Sequence, residues 1–336
     1  MSLNIQPAPV DPEILMARLK FLDKYEAQLA SSLQWNQTES PAEYRRMRRE
    51  GLNGFPKPVL NPKARTLSID ARDGHKIELR IIAPLEQQSK GVWLHFHAGG
   101  FVIGSNASYD PYLTTLSNRL SLTMVSVEYR LAPEHPFPKP LHDCVDAALY
   151  ALTPDGEKSL GAPLKVLGGE SAGGWLAVST ALSLKRDFGL DVRSILDAVV
   201  TGYGIYDMTW TPSLLEHTRD IILSKEGMIA FVEAGFGHVP MAERKDPLVS
   251  PLYADLKGMP PALFLTGDTE PLVDDSVFMA ARWCSAGNGA ELSVVAGACH
   301  AFTIIQMGEV TQDGIDRIVS FVERNLHVGD NVSHLS

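Results

Sequence analysis

Gly169-Glu170-Ser171-Ala172-Gly173 carries the sharpest chemical signal in this chain of 336 residues. A serine between two spaced glycines makes a nucleophile when a strand feeds the turn and a helix leaves it, because the tight turn then pushes the hydroxyl out at the carboxyl edge of a sheet. Both conditions hold here. Lys165–Gly168 reads as a strand, and the run from Trp175 to Lys185 reads as an amphipathic helix. The N-terminus of such a helix favours developing negative charge. The same glycines do not make a phosphate loop, since no Lys-Ser or Lys-Thr follows them. Gly202-Tyr203-Gly204 lacks the third glycine of a dinucleotide fingerprint.

A serine hydroxyl needs a base, and the base needs an acid to orient it. His300 follows the last strand, Leu292–Val295, and stands after Ser171 in chain order. Beside it Cys299 reads as core packing rather than as a second nucleophile. The acid belongs just after the strand Ala262–Thr266, where Asp268, Glu270, Asp274 and Asp275 compete. Asp268 lies closest to the strand end, while Asp274 and Asp275 resemble N-caps of the next helix. The residues alone put Glu270 only slightly ahead. Acyl transfer also needs N–H donors for a tetrahedral oxyanion. His97-Ala98-Gly99-Gly100-Phe101 follows the strand Val92–His97, and the amides of Gly99, Gly100 and Ala172 are the expected donors. His95 and His97 alternate on one strand as a metal pair would, but no carboxylate or cysteine cluster completes a site.

These residues need a parallel sheet to hold them. Thr66–Asp70 and Lys76–Ile82 read as a hairpin turning at Asp73-Gly74, and Met124–Glu128 and Ala198–Thr201 add further buried strands. Helical stretches Pro111–Leu120, Cys144–Leu152 and Asp275–Ala286 lie between strands, so the sheet is covered on both faces. Ligands bind outside the carboxyl ends of such strands. Two segments break the rhythm. Residues 1–60 are helical and peripheral, with Leu15, Leu19, Leu22 and Leu29 on one face. Residues 205–245 are too long for a simple crossover. The expected organisation is a helical cap from 1–60 and 205–245, with the core divided between 61–204 and 246–336. Arg45, Arg46, Arg48 and Arg49 form a run on the second helix. It reads either as an anion-binding face or, more commonly, as a solvated one.

Composition sets the outer bounds. Charged residues are 21% and hydrophobic residues 45%, which suits a globular chain. A net charge of −10 opposes loose binding to phosphate backbones, so nucleic acid is not an expected partner. Three cysteines without a CxxC spacing suit a reducing compartment. The N-terminus has Asp11 and Glu13 and no long apolar run, and the uncharged stretch Gly91 to Tyr109 is broken by glycines and histidines. The expectation is a cytoplasmic protein with no membrane span.

Together the motifs resemble the hormone-sensitive-lipase-like branch of the α/β-hydrolases, the bacterial family-IV carboxylesterases. His97 to Ser105 is similar to that family's HGGGF-x-x-GS motif. Tyr129 to Pro138 reads YRLAPEHPFP as the family's signature does, and Gly169 to Gly174 is similar to GDSAGG. Glu270-Pro271-Leu272-Val273-Asp274 resembles DPLxD, whose first acid is the triad acid, and His300-Ala301-Phe302 resembles H-x-F. The resemblance implies an α/β-hydrolase fold, a mostly parallel eight-stranded sheet with helices on both faces and a helical cap. It implies a serine carboxylesterase with Ser171, Glu270 and His300 as triad, Gly99, Gly100 and Ala172 as oxyanion hole, and no cofactor or metal. The partner implied is a small-molecule ester of short or medium chain, and a homodimer is left open. Cleavage of an amide, lactone or carbamate is the alternative, and a non-catalytic receptor the more distant one. Ala98, Glu170 and Trp175 depart from the family pattern. The expected pocket wall is Phe101, Tyr109, Trp175, Tyr203, Tyr206 and Trp210. Arg130 and Glu134 are expected to pair and hold the oxyanion loop.

Overall fold

The computed structural model describes Ile5, Pro7, residues 9–52 and residues 54–327. Two helices come first, α1 (Pro12–Leu29) and α2 (Pro41–Glu50). Each begins as its residues dictate. Asp11 and Ser40 accept the amide N–H of Glu13 and Glu43, and a proline follows each cap. Gly51 ends α2 at φ +75°, where a side chain would be strained.

The eight strands are β1 (Arg65–Asp70), β2 (Lys76–Ile82), β3 (Val92–Phe96), β4 (Thr123–Glu128), β5 (Leu164–Glu170), β6 (Ala198–Gly202), β7 (Ala262–Gly267) and β8 (Ala290–Val295). They make one sheet in the order β1-β2-β4-β3-β5-β6-β7-β8. Only β2 runs against the direction of the other seven strands. The strand residues alternate between two cores, as a period of two requires. Leu94, Phe96, Val125, Val127, Leu167 and Phe264 face one core, and Trp93, Met124, Val166, Val200, Leu263 and Leu265 face the other.

Between and beyond the strands lie α3 (Asp110–Leu120), α4 (Lys139–Ala151), α5 (Pro154–Leu160), α6 (Ala172–Phe188), α7 (Val192–Ile195), α8 (Pro212–Glu216), α9 (Lys225–Phe236), α10 (Val273–Ser285) and α11 (Glu309–Asn325). Helices α4, α6 and α10 cover the first core, and α3 and α11 the second. Leu22 of α1 is buried in the second core. Its neighbour Arg18, itself buried, donates to the Ala296 carbonyl and pairs with Glu309 at the start of α11. The N-terminal face is therefore tied to the sheet edge, and Leu15 meets Gly297 rather than an open crevice.

Two expected contacts are replaced by others. Asp274 and Asp275 do not cap α10. Asp275 is buried and accepts the N–H groups of Tyr206 and Asp207 and the Thr211 hydroxyl, while Asp274 accepts the N–H of Ser213. Both carboxylates fasten the segment after β6 to the core, and burial pushes Asp275 up to about 7. Nor does Arg130 pair with Glu134. It pairs with the buried Asp143 and with Asp73. Glu134 is taken by Arg45 of α2, which also donates to the carbonyls of Val102 and Ala132 and so braces the glycine loop. Nothing in the spacing of α2 announced that role, because its partners lie more than fifty residues away.

Candidate active site

Ser171 sits on the turn between β5 and α6 at φ +56°, ψ −117°. That backbone is costly for a residue with a Cβ, on the order of 1–3 kcal/mol, and persists only where the surroundings hold it. Here the Ser171 amide donates to the Gly202 carbonyl, and α6 passes very close to β3. A Cβ on Gly173 would stand 1.9 Å from the Phe96 carbonyl oxygen, so only glycine permits that approach. Glu170, directly before the serine, is buried. It accepts from Tyr112 Oη at 2.9 Å and lies 2.8 Å from His95 Nε2. His95 Nδ1 in turn meets Ser126 Oγ. His95 therefore supports the turn from beneath. Its strand neighbour His97 is buried against Tyr129 and donates from Nδ1 to the Ala98 carbonyl, and burial lowers its pKa to about 3. Among the described residues no group of three or more His, Cys, Asp or Glu side chains is arranged to hold a metal ion.

Ser171 Oγ lies 2.9 Å from His300 Nε2, and His300 Nδ1 lies 3.0 Å from Glu270 Oε2. All three side chains are buried. Glu270 accepts two further bonds, from the Thr266 hydroxyl at Oε1 and from the Leu272 N–H at Oε2. An ionised carboxylate only accepts, so His300 carries its proton on Nδ1 and offers Nε2 to the serine. Of the four competing acids only Glu270 touches His300. Asp268 turns the other way and accepts the Gly297 N–H. Cys299 is buried with its thiol pushed up to about 12, so it is no thiolate at neutral pH.

The loop after β3 carries Gly99 at φ +128° and Gly100 at φ +58°. The Gly99 carbonyl is used by Val102 and Ile103, but among the described residues the amides of Gly99 and Gly100 donate to no acceptor. Ala172 opens α6, so its N–H has no partner within the helix. A Cβ on Gly100 would fall 2.2 Å from the ring of Phe231, which reaches in from α9. Gly100→Ala is expected to cut kcat for an ester by about tenfold or more, a loss comparable to that of one misplaced donor. Phe231→Ala in the same chain should restore only part of it, since the left-handed backbone remains strained. Full restoration in steady-state kinetics would assign the whole effect to the clash.

A cavity of about 460 Å³ opens over Ser171 and His300. Ala98, Gly99 and Gly100 form part of its floor, and Tyr25, Tyr44, Ile222, Met228 and Phe231 line it from residues 1–60 and 205–245. Trp35 and Phe231 stack with ring centroids 5.4 Å apart, so the two segments meet at Phe231, the member of the pair that lines the cavity. Of the six aromatics expected in the wall, Tyr109 lines this cavity and the other five do not. Trp175 packs against Phe101, Phe137 and Phe236, and its Nε1 donates to the Val249 carbonyl. Phe101 lies in the same buried cluster. Tyr203 presents its ring to the edge of His300 from behind, 4.9 Å between centroids, and bonds Thr303. Tyr206 packs on Phe264, and Trp210 rests on the core at the edge of the inserted segment. Trp210, Leu214 and Leu215 are likewise absent from the roof, where Phe231 stands. The four-residue offset did not foretell this, since a helix brings residues i and i+4 to one face and Ser171 itself stands outside α6 as its N-cap.

A family model described as alpha/beta hydrolase fold matches residues 93–304. An arylesterase of Saccharolobus solfataricus is 31% identical over 244 residues, 71% of this chain and 77% of that protein. An ethyl acetate hydrolase of Pseudomonas putida is 28% identical over 263 residues, 76% of this chain and 80% of the relative. Among solved structures, a thermostable carboxylesterase cloned from a metagenomic library superposes with a TM-score of 0.75 at 29% identity, over 86% of this chain and 98% of its own.

Proposed function

The chain belongs to the α/β-hydrolase fold family, as a carboxylesterase of its hormone-sensitive-lipase-like branch, and we propose that Ser171, His300 and Glu270 carry out its ester hydrolysis. The observation that carries this reading is the hydrogen-bonded sequence from Ser171 Oγ through His300 to Glu270 at the floor of a roofed cavity. Ser171 Oγ attacks the ester carbonyl as His300 Nε2 takes its proton. Glu270 holds the imidazole tautomer and stabilises the cation that forms. The N–H groups of Gly99, Gly100 and Ala172 bind the oxyanion. His300 returns the proton to the departing alcohol, and the acyl group stays on Ser171. Water, deprotonated by His300, then releases the carboxylic acid. A serine-directed fluorophosphonate is expected to label Ser171 stoichiometrically and abolish ester hydrolysis. Complete inhibition with the label on another residue would overturn the assignment.

A cavity of about 460 Å³ suits short to medium esters. We read residues 1–60 and 205–245 as a cap that sets this limit, because Tyr25 and Tyr44 from the first segment and Met228 and Phe231 from the second line the cavity over the serine. Phe231→Ala should flatten the chain-length profile measured from acetate to decanoate esters, about tenfold for the longest chains, as one wall is lost. An unchanged profile would remove the roof from specificity. No helix among the described residues is long and apolar enough to cross a membrane. The cytoplasmic reading rests on three unpaired cysteines, two of them buried.

A further inference from the structure

The wall of the cavity over Ser171 is cationic although the chain as a whole is acidic, with a net charge of −10. Arg45, Arg48, Arg49 and Lys57 line it, and among the described residues that do so there is no Asp or Glu. On α2 the four arginines have divided. Arg45 is neutralised by Glu134, and Arg46 points away and pairs with Glu43 and Glu50. Among the described residues Arg48 and Arg49 make no ion pair, although the half-buried Glu128 carboxyl feels the charge of Arg49. The central guanidinium carbon of Arg48 lies over the Phe55 ring, 3.5 Å from its centroid, and a guanidinium held on an aromatic face can still present N–H groups to a planar anion. Its charge is felt by the phenols of Tyr25 and Tyr109, both on the cavity wall, in each case pulling against the upward push of burial. A solvated helix face would not direct unpaired charge into the pocket that contains the nucleophile.

We propose that the enzyme prefers esters bearing a carboxylate several bonds from the scissile carbonyl, held by Arg48 with Arg49 and Lys57 beside it. The inference rests on the esterase reading above and specifies its substrate class. The carboxylate takes no part in the chemistry. It fixes the ester in the cavity by charge-assisted hydrogen bonds to guanidinium N–H groups, with the neutral ester group left over Ser171. Arg48 is half-buried while Arg49 and Lys57 are exposed, so the contact counts for most at Arg48, and it weakens with salt.

Two matched pairs test it. The 4-nitrophenyl monoester of adipic acid is compared with 4-nitrophenyl hexanoate, which puts the charge on the acyl half. The butyryl ester of 4-hydroxybenzoate is compared with that of 4-hydroxybenzamide, which puts it on the alcohol half. At low salt the anionic member of at least one pair should show a kcat/KM about tenfold higher, carried by KM, and the ratio should shrink as salt rises. In the R48Q/R49Q double variant the ratio should fall to near one, while R46Q should keep it. The inference is overturned if neither pair favours the anion in the wild type, which needs no variant to fold. It is equally overturned if the ratio survives in R48Q/R49Q, or if R46Q erases it as well. Failure to hydrolyse any of the four esters is a different outcome, and it removes the esterase reading together with this one.

Discussion

Ser171→Ala should lower kcat for ester hydrolysis by about 10⁴-fold or more, since the chain then has no atom to carry the acyl group. The fold should be unaffected. Alanine keeps the Cβ, so the backbone at φ +56° carries the same strain, and the hydroxyl it loses is bonded only to His300. The melting temperature should stay within about 1 °C of the wild type, a shift corresponding to about 0.7 kcal/mol in a chain of this size. A purified, folded variant retaining more than about one part in a hundred of the activity would place the nucleophile elsewhere, because loss of a triad serine costs far more than that.

The acid is tested by a graded series. Glu270→Ala should cost about 10⁴-fold in kcat by removing both the charge and the group that orients His300. Glu270→Gln should cost much less, about tenfold to a hundredfold. The Leu272 N–H requires an acceptor at the Oε2 position, so the amide oxygen takes that place and still receives the His300 Nδ1–H. The amide NH₂ then faces Thr266 Oγ1, whose hydroxyl can rotate to accept. What is lost is the charge that stabilises the imidazolium, and hydrogen bonds to charged groups exceed neutral ones by only about 1–2 kcal/mol. Asp268→Asn should change kcat by less than about threefold, because its amide oxygen can still accept from Gly297. An Asp268 variant more damaging than Glu270→Ala would move the acid by two residues.

Legibility of the site varied with the range of the interactions that build it. Strand positions were readable because alternation and β-branched runs are local, and each strand was located to within about two residues of where it lies. The serine turn was readable because strand, glycines and helix adjoin within a few residues. The choice among Asp268, Glu270, Asp274 and Asp275 was not readable from spacing. It depends on which carboxylate the turn after β7 points toward His300, thirty residues away, and on the N–H groups of the cap segment that claim Asp275. The motif resemblance supplied what local pattern could not.

The aromatic wall shows the same limit from the other side. Phe101, Trp175, Tyr203, Tyr206 and Trp210 cluster near the motifs in sequence, yet they support the site from behind or fill the core, and Tyr109 alone reaches the cavity. The roof instead comes from Phe231, with Trp35 stacked on it, and the charge from Arg48 and Arg49, all on segments whose docking is decided by distant contacts such as Arg18 with Glu309 and Arg45 with Val102. By itself the amino-acid sequence determined the reaction class, since a hydroxyl on a strained turn, a late histidine and a glycine loop are read off neighbouring residues. Tertiary structure decided which side chains line the cavity over the serine, because a pocket wall is formed by side chains that meet only when elements far apart in the chain are packed together.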